Sequence, residues 1–179
     1  INYDMPVASA QVKSCLLLAA LYINGTSTII KPALCRNPTE LMLQGFGYPV
    51  EISRNKVKLT GGGKLIACDI DVPADISSAA FFLVGASIAP KSDLTLKHVG
   101  INPTRTGVIN ILRAMGANIE YLQEYEVGGE LVADIRVCHA SLHGITIPVD
   151  QVPLAIDEFP ALFIAAACAE GTTILSGAE

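Results

Sequence analysis

The side chains best suited to chemistry lie at the beginning of apolar, helix-forming runs of the chain. Ser9 and Gln11 open one such run, and Asp157 and Glu158 open another. The first turn of a helix has unpaired N–H groups and a partial positive charge, which favour an anionic ligand. A glutamine there offers a neutral hydrogen-bonding amide, whereas an aspartate offers a charged acceptor or a base. These residue types therefore suit anion binding and proton transfer.

Each pair also has a purely structural interpretation. Ser9 suits the N-cap of its helix, because its hydroxyl can accept a hydrogen bond from an unpaired backbone N–H. Asp157 could cap the second helix in the same way, while Glu158 would interact with the helix dipole for about 1 kcal/mol. Residue type alone leaves both interpretations open.

The cations near these runs are open to two interpretations as well. Arg36, Arg105 and Lys13 could form surface ion pairs, each worth less than about 1 kcal/mol, or could clamp a carboxylate or a phosphate. Lys13 follows Gln11 by two positions, roughly 200° around a helix, so it need not share the Gln11 site.

Composition narrows the class of protein. The 179 residues are 51% hydrophobic and 16% charged, with a formal net charge of −5. Such a chain is not disordered and can bury one or two cores. Because no basic stripe is present, we expect no nucleic-acid partner. Because no apolar run reaches the roughly 18 residues that span a bilayer, we expect no membrane partner.

The cysteines and histidines carry no ligand pattern. The five cysteines form no CxxC pair, and Cys15 and Cys168 lie inside apolar helical runs, as small hydrophobic residues do. We therefore expect no disulfide framework, no metal and no cofactor, and a reducing cytoplasmic location.

The chain is expected to be an internal piece of a longer protein.

Hydrophobic periodicity indicates a repeated order of elements. The first copy predicts a strand, a helix, a strand, a helix and two strands, at residues 1–6, 9–22, 26–30, 38–45, 50–52 and 57–59. The second predicts the same order at residues 67–72, 76–89, 93–99, 106–116, 119–121 and 135–137. A third, incomplete copy predicts a strand, a helix and a strand at residues 144–148, 157–169 and 172–175.

A period of about 70 residues is too long for an ordinary solenoid and suits layers of sheet and helix. Helices that are apolar nearly all round are expected to be enclosed between such layers. Matching the turns of the copies brings three polar residues to the same place at their helix starts: Gln11, Ser77 and Asp157. If pseudo-symmetry directs these starts to one cleft, polar groups of different copies would converge on it.

Four segments, in order and along essentially the whole chain, resemble one known family: Pro6-Val7-Ala8-Ser9-Ala10-Gln11-Val12-Lys13-Ser14, Val72-Pro73-Ala74-Asp75-Ile76-Ser77-Ser78-Ala79-Ala80-Phe81, Asn102-Pro103-Thr104-Arg105-Thr106-Gly107 and Ile156-Asp157-Glu158-Phe159-Pro160. The family is that of 5-enolpyruvylshikimate-3-phosphate synthase. The Ser-Ala-Gln form resembles the branch typified by glyphosate-tolerant bacterial enzymes.

The resemblance implies an α/β (α+β) fold, an inside-out α/β barrel built from βαβαββ repeats, with about two and a half of six repeats present. It implies that the chain crosses between two domains near Gly100. Residues 1–100 would belong to the domain that binds shikimate 3-phosphate, and residues 101–179 to the second domain. Further substrate-binding motifs of the family would lie outside this chain, so the chain alone is expected to have no turnover.

The resemblance also implies roles for five residues. Ser9, Ala10 (through its backbone) and Gln11 match residues that bind the 3-phosphate of shikimate 3-phosphate, and Gln11 also matches a contact to phosphoenolpyruvate. Asp157 matches the residue that holds the shikimate hydroxyls and accepts a proton. Arg36 matches an arginine that contacts the shikimate phosphate, although the family's usual Arg-Asp-His-Thr-Glu is here Arg-Asn-Pro-Thr-Glu.

The implied reaction transfers the enolpyruvyl group of phosphoenolpyruvate to the 5-hydroxyl of shikimate 3-phosphate and releases phosphate. It belongs to the shikimate pathway, which leads to chorismate and the aromatic amino acids. The implied enzyme is a cytoplasmic transferase, monomeric at full length, without a cofactor or metal.

Two alternatives stay open. A UDP-N-acetylglucosamine enolpyruvyl transferase would have the same architecture, but would need a reactive cysteine in an Arg-rich loop, and no cysteine here has such neighbours. A non-catalytic repeat scaffold would have equivalent residues at its helix starts, whereas these starts differ.

Overall fold

The computed structural model describes residues 1–178, which form two compact units. The first comprises Ile1–Asp71 with Val127–Glu130, and the second comprises Val72–Glu126 with the residues from Leu131 onward. The units divide after Asp71, and the predicted crossing between functional domains near Gly100 stays a prediction. The assignment of residues 1–100 and 101–179 to two functional domains is a separate matter and stays a prediction.

The first unit has the predicted order of strand, helix, strand, helix, strand, strand. Its elements are β1 (Asn2–Asp4), α1 (Ala10–Ala20), β2 (Thr26–Ile30), α2 (Pro38–Gly45), β3 (Val50–Ile52) and β4 (Lys56–Thr60). The strands form one sheet in the order β1-β2-β4-β3, in which β1 runs parallel to β2 and the other pairs are antiparallel. Leu17 of α1 and Leu43 of α2 pack with Val57 and Leu59 of β4 in its core.

The second unit repeats most of this order. Its elements are α3 (Ile76–Ile88), β5 (Asp93–Gly100), α4 (Gly107–Ala114), β6 (Asn118–Val127), β7 (Glu130–Cys138), a 3₁₀ helix (Val149–Leu154) and α5 (Phe159–Ala167). Its sheet has the order β5-β7-β6, with β5 antiparallel to β7. Helices α3, α4 and α5 contribute most of the buried apolar side chains of the core.

Three predicted strands are wrong as regular strands. The run 67–72 has none, and the first strand of this copy is reduced to a single parallel bridge between Ala74 and Val99. The runs 144–148 and 172–175 likewise meet at one parallel bridge between Thr146 and Ile174. Alternation indicated strands here because Ile70 and Val72 alternate with aspartates, but both apolar side chains are exposed. Alternation without a partner strand leaves the backbone unpaired and does not make a sheet.

Backbone geometry confirms how the copies align. Gly25, Lys91 and Gly171, which lie in the turns after α1, α3 and α5, all have positive φ, at 107°, 65° and 92°. Gly47 and Gly116, which follow the second helix of their copies, have φ of 72° and 97°. Gly47 and Gly116 follow the C-caps of α2 and α4 directly, where a left-handed residue ends a helix, and the other three residues turn the chain between a helix and the segment that follows.

The expectation that the apolar helices are enclosed on all sides is not met within this chain. Helix α3 buries Ala80 and Leu83 completely, but Phe81 and Phe82 on its other face are 65% and 60% exposed. The reason is that α3 packs against α4, α5 and β5 on one face only. Helix α5 shows the same division, with Leu162 buried and Phe163 exposed.

The two helical glycines of the second unit provide a matched test of its packing. A Cβ on Gly107 would lie 2.6 Å from the carbonyl carbon of Leu154, whereas a Cβ on Gly85 would meet nothing within 4 Å. We expect Gly107→Ala to lower the free energy of unfolding by about 1–3 kcal/mol through overpacking. We expect Gly85→Ala to raise it by about 0.5–1 kcal/mol, because alanine favours the helix. Urea unfolding followed by circular dichroism measures both, and equal stabilities would contradict the close approach of α4 to the 3₁₀ helix.

Candidate functional site

The start of α1 is capped and open to solvent. The Ser9 hydroxyl accepts a hydrogen bond from the Val12 N–H at 3.2 Å and donates one to the Gln11 Oε1 at 3.3 Å. The capping interpretation of Ser9 is therefore confirmed. Ser9 and Ala10 are half-buried, Gln11 is exposed, and the first turn carries no acidic side chain. The partial positive charge of this helix start is thus not neutralised by its own sequence, which leaves it suited to an anion.

Lys13 forms neither a surface ion pair nor an exposed clamp. Its side chain is completely buried, and its Nζ lies 2.6 Å from the Oε1 of Glu40, which is also completely buried. The same ammonium donates a hydrogen bond to the carbonyl oxygen of Arg36. Lys13 therefore points away from the exposed Gln11, as the helical spacing predicted.

Arg36 lies two residues before the first residue of α2, and two contacts join its segment to α1. One is the bond from Lys13 to its carbonyl, and the other joins the hydroxyls of Ser14 and Thr39 at 2.7 Å. Pro38 occupies the first position of α2, where its missing N–H costs no helical hydrogen bond. The departure from the family's usual sequence after Arg36 is thus compatible with a regular helix start.

In the second unit, the start of α3 carries a polar network. Asp75 is the N-cap and accepts from the Ser78 N–H at 2.9 Å. Arg105 donates from Nη2 to the Asp75 Oδ1 at 2.6 Å and to the Ser77 hydroxyl at 3.0 Å. Ser77 in turn donates to the Oε1 of Glu158. Arg105 therefore binds two residues of the α3 start, rather than being a lone surface cation.

The charge of Asp75 is stabilised by these contacts. Its burial acts to raise the pKa of the carboxyl, but the hydrogen bond from the Ser78 N–H and the contact with Arg105 outweigh it. The pKa of Asp75 consequently lies below the usual range of an aspartate.

Gln11 and Ser77 occupy the same place, since each is the second residue of its helix. The predicted equivalence of Asp157 with these two is wrong. Helix α5 begins at Phe159 with Glu158 as its N-cap, so Asp157 precedes the helix and is exposed. Pro160 lies in the first turn, where a proline is favoured, and this moves the helix start along the chain.

Two buried carboxylates, those of Glu158 and Glu40, have environments that sequence reasoning did not predict. Glu158 was assigned to the helix dipole, yet its side chain is 3% exposed, and its Oε2 has no hydrogen-bond partner within residues 1–178. Glu40 was not singled out, although one signal pointed to it. Lys13 precedes the buried Leu17 by one helical turn, so it lies on the core face and needs a buried anion.

The structure brings Ser9, Ala10, Gln11 and the Arg36 segment together within the first unit, and it places Asp157 in the second. The part of the chain that the structure describes groups no three metal-ligating side chains in one place. None of the helices in that part is both long and apolar enough to cross a membrane.

The profile of the EPSP synthase (3-phosphoshikimate 1-carboxyvinyltransferase) family matches residues 1–179. The chain belongs to the EPSP synthase family. A 3-phosphoshikimate 1-carboxyvinyltransferase of Methylococcus capsulatus is 66% identical over 179 residues, which are the whole of this chain and 41% of that protein. One of Halorhodospira halophila is 66% identical over 178 residues, 99% of this chain and 40% of that protein.

The fold agrees with this membership. The solved structure of EPSP synthase from Acinetobacter baumannii superposes with a TM-score of 0.93 at 58% sequence identity, over 99% of this chain and 40% of that one. The α/β fold and the family predicted from the four segments are therefore confirmed. This chain spans about two fifths of the length of the EPSP synthases that it matches.

The pair of Asp75 and Arg105 predicts a pH dependence of stability. Asp75→Asn keeps the cap, because asparagine caps as well as aspartate, but removes the charge. At pH 7 we expect this variant to be less stable by up to about 1 kcal/mol, the usual range for a partly exposed pair. Because the pKa of Asp75 is lowered on folding, this stabilisation is present above about pH 3.9 and is lost as the pH falls through the folded value.

Urea unfolding of the two proteins between pH 7 and pH 3 measures this difference. It should be constant near neutral pH and shrink at the acidic end. A difference that does not change with pH would mean that the Asp75 charge contributes nothing to folding.

Proposed function

We propose that this chain is part of an enzyme that transfers the enolpyruvyl group of phosphoenolpyruvate to the 5-hydroxyl of shikimate 3-phosphate. The observation that carries the proposal is the uncompensated start of α1, with the Arg36 segment tied to the same helix. The backbone N–H groups of a helix start, a neutral amide and a guanidinium are all groups that bind phosphate. The names of the family's curated members, 3-phosphoshikimate 1-carboxyvinyltransferase, support the choice of substrates.

In this proposal Ser9, the Ala10 backbone, Gln11 and Arg36 bind the phosphate of shikimate 3-phosphate. Gln11 also contacts phosphoenolpyruvate through its amide, which is exposed and can serve two acceptors. These groups hold two anions in register, which lowers the barrier by orientation. The enzyme acts as a cytoplasmic monomer, and the chain alone has no turnover, because the substrates need more cationic groups than it supplies.

The chemistry then requires a base that takes the 5-hydroxyl proton, and an acid that protonates C3 and takes a proton back from it on elimination. The 5-hydroxyl oxygen attacks C2 of phosphoenolpyruvate while C3 gains a proton, and the tetrahedral intermediate loses phosphate and a C3 proton to leave the enol ether. Asp157 accepts the proton of the 5-hydroxyl and holds the neighbouring hydroxyls. It is exposed and lies outside the helix, so its carboxylate is accessible to a substrate.

The relative from Methylococcus capsulatus offers a host for the test. Its matched region is replaced by these 179 residues, and the resulting chimaera is assayed for phosphate release with both substrates. Turnover supports the proposed function. Turnover with UDP-N-acetylglucosamine in place of shikimate 3-phosphate would assign the chain to the sister reaction, and a folded chimaera without turnover would contradict the proposal.

Gln11→Ala in the chimaera should impair catalysis and leave folding intact. We expect kcat/KM to fall by an amount equivalent to about 2–4 kcal/mol, the cost of a lost preorganised donor. The matched control is Gln44→Ala, because the Gln44 amide donates to the Val50 carbonyl at 2.9 Å and so supports the fold. The control should lower the melting temperature more and the activity less. The reverse pattern would make Gln11 a structural residue.

Asp157→Asn separates a base from a hydrogen-bonding group of the same shape. We expect kcat to fall by about 100-fold or more, while the affinity for shikimate 3-phosphate stays within about tenfold. Asp157→Ala should also weaken binding, because it removes the hydroxyl contacts. Asp150→Asn, in the exposed 3₁₀ helix, is the control and should change neither. Turnover of the Asp157→Asn chimaera near the parent rate would exclude Asp157 as the base.

A further inference from the structure

Burial of Lys13 and Glu40 in the core carries a large desolvation penalty. Both side chains are completely excluded from solvent, and their charged atoms lie 2.6 Å apart. Taking two charges out of water costs several kcal/mol for each ion, and apolar replacements of such pairs are often neutral or stabilising. Stability alone therefore gives little reason for this pair.

The contacts of the pair indicate that it holds two segments of the chain in a fixed relative position. Lys13 belongs to α1, one turn after Ser9, and Glu40 is the third residue of α2. The ammonium binds the Glu40 carboxylate and the Arg36 carbonyl oxygen at once. It thus contacts the segment 36–40 at two residues, at Arg36 before the first residue of α2 and at Glu40 after it.

A second contact supports the same segment. The hydroxyls of Ser14 and Thr39 lie 2.7 Å apart, next to Lys13 and Glu40 in the sequence. The segment that carries Arg36 is therefore held at its carbonyl, at Thr39 and at Glu40, each time by the first two turns of α1. The helix that holds it is the one whose start carries Gln11.

We infer that Lys13 and Glu40 are positioning residues that set Arg36 against the Gln11 end of α1, so that both reach one phosphate group. This inference rests on the proposed function. Lys13 itself is buried and does not touch the substrate, and it acts through the Arg36 main chain. The hydrogen bond from Lys13 to the Arg36 carbonyl oxygen is directional, and the buried Glu40 carboxylate attracts the same ammonium at short range, so the two contacts fix this distance more tightly than apolar packing would.

The test replaces the pair without leaving a lone buried charge. In the chimaera with the Methylococcus capsulatus relative, Lys13→Met is combined with Glu40→Leu. The matched control is Lys58→Met with Glu51→Leu, because that pair has the same chemistry at 2.9 Å but is solvent-exposed. Melting temperature, kcat and the KM for each substrate are measured for all proteins.

We expect the buried-pair variant to melt near the parent temperature, to raise the KM for shikimate 3-phosphate at least about tenfold, and to change kcat less than about threefold. The exposed-pair control should leave both constants unchanged. An unchanged KM would overturn the inference, and so would a variant that fails to fold, since the pair would then be a folding element.

A double-mutant cycle tests whether the pair acts through Arg36. Arg36→Ala alone should raise the KM for shikimate 3-phosphate, and removing the pair in that background should add less than about twofold, because the group it positions is gone. Additive effects would overturn the inference. The single variant Glu40→Gln keeps the bond from Lys13 to Arg36 and should raise the KM less than the double replacement.

The two proposals fail in different ways. A folded parent chimaera without turnover contradicts the proposed function. An active parent whose KM for shikimate 3-phosphate does not respond to the buried pair contradicts only the positioning role.

Discussion

Each copy of the repeat depends on the parallel pairing of two extended segments that are connected by a helix. In the first copy β1 pairs in parallel with β2 across α1, and in the second Ala74 pairs in parallel with Val99 across α3. Parallel neighbours need a crossover, and a helix supplies it. The chain must therefore leave the first strand, turn into a helix and return to the same edge. This path determines where the helix begins, even in the second copy, where the first strand consists of a single bridge.

The same constraint leaves the chemistry of each helix start free to differ. The start of α1 has no acidic side chain in its first turn, and its neutral groups Ser9 and Gln11 leave the helix dipole available to an anion. At the start of α3, the Asp75 carboxylate caps the helix and also binds Arg105, so the partial positive charge of this helix start already has an anionic partner. A repeated scaffold thus supports one open and one closed helix start. This difference is what a scaffold of equivalent copies would lack.

Local patterns predicted much of the fold. Alternation and helical periodicity predicted five helices and most strands, because those patterns reflect which face of an element is buried. The turns at Gly25, Lys91 and Gly171 aligned the copies correctly, since a left-handed residue is a local requirement. The run 67–72 was wrong as a strand because it has no partner strand within residues 1–178, and the runs 144–148 and 172–175 were wrong as regular strands because they meet at only one bridge. No local pattern reveals how far two runs will pair. The placement of Asp157 at a helix start failed because Pro160 shifted that start.

The candidate site was predicted in part. Polar residues at a helix start, such as Ser9 and Gln11, could be identified, because the unpaired N–H groups there require hydrogen-bond acceptors. Their buried partners could not, because the contacts join residues far apart in the chain, as Ser77 and Glu158 do. The burial of Glu158 depends on how α3 and α5 pack, and that is decided by tertiary structure alone.

The two units share a structural feature next to their candidate site residues. In each, an exposed polar residue has a buried charged residue close by in sequence, Lys13 near Gln11 and Glu158 next to Asp157. Each buried residue is hydrogen-bonded to a different element: Lys13 to the Arg36 segment, and Glu158 to the start of α3. Apolar contacts are non-directional and tolerate small displacements, whereas a reacting group must be held to within a fraction of an ångström. Buried polar bonds beside the exposed candidate residues suit that need, because they tie the neighbouring main chain to the core.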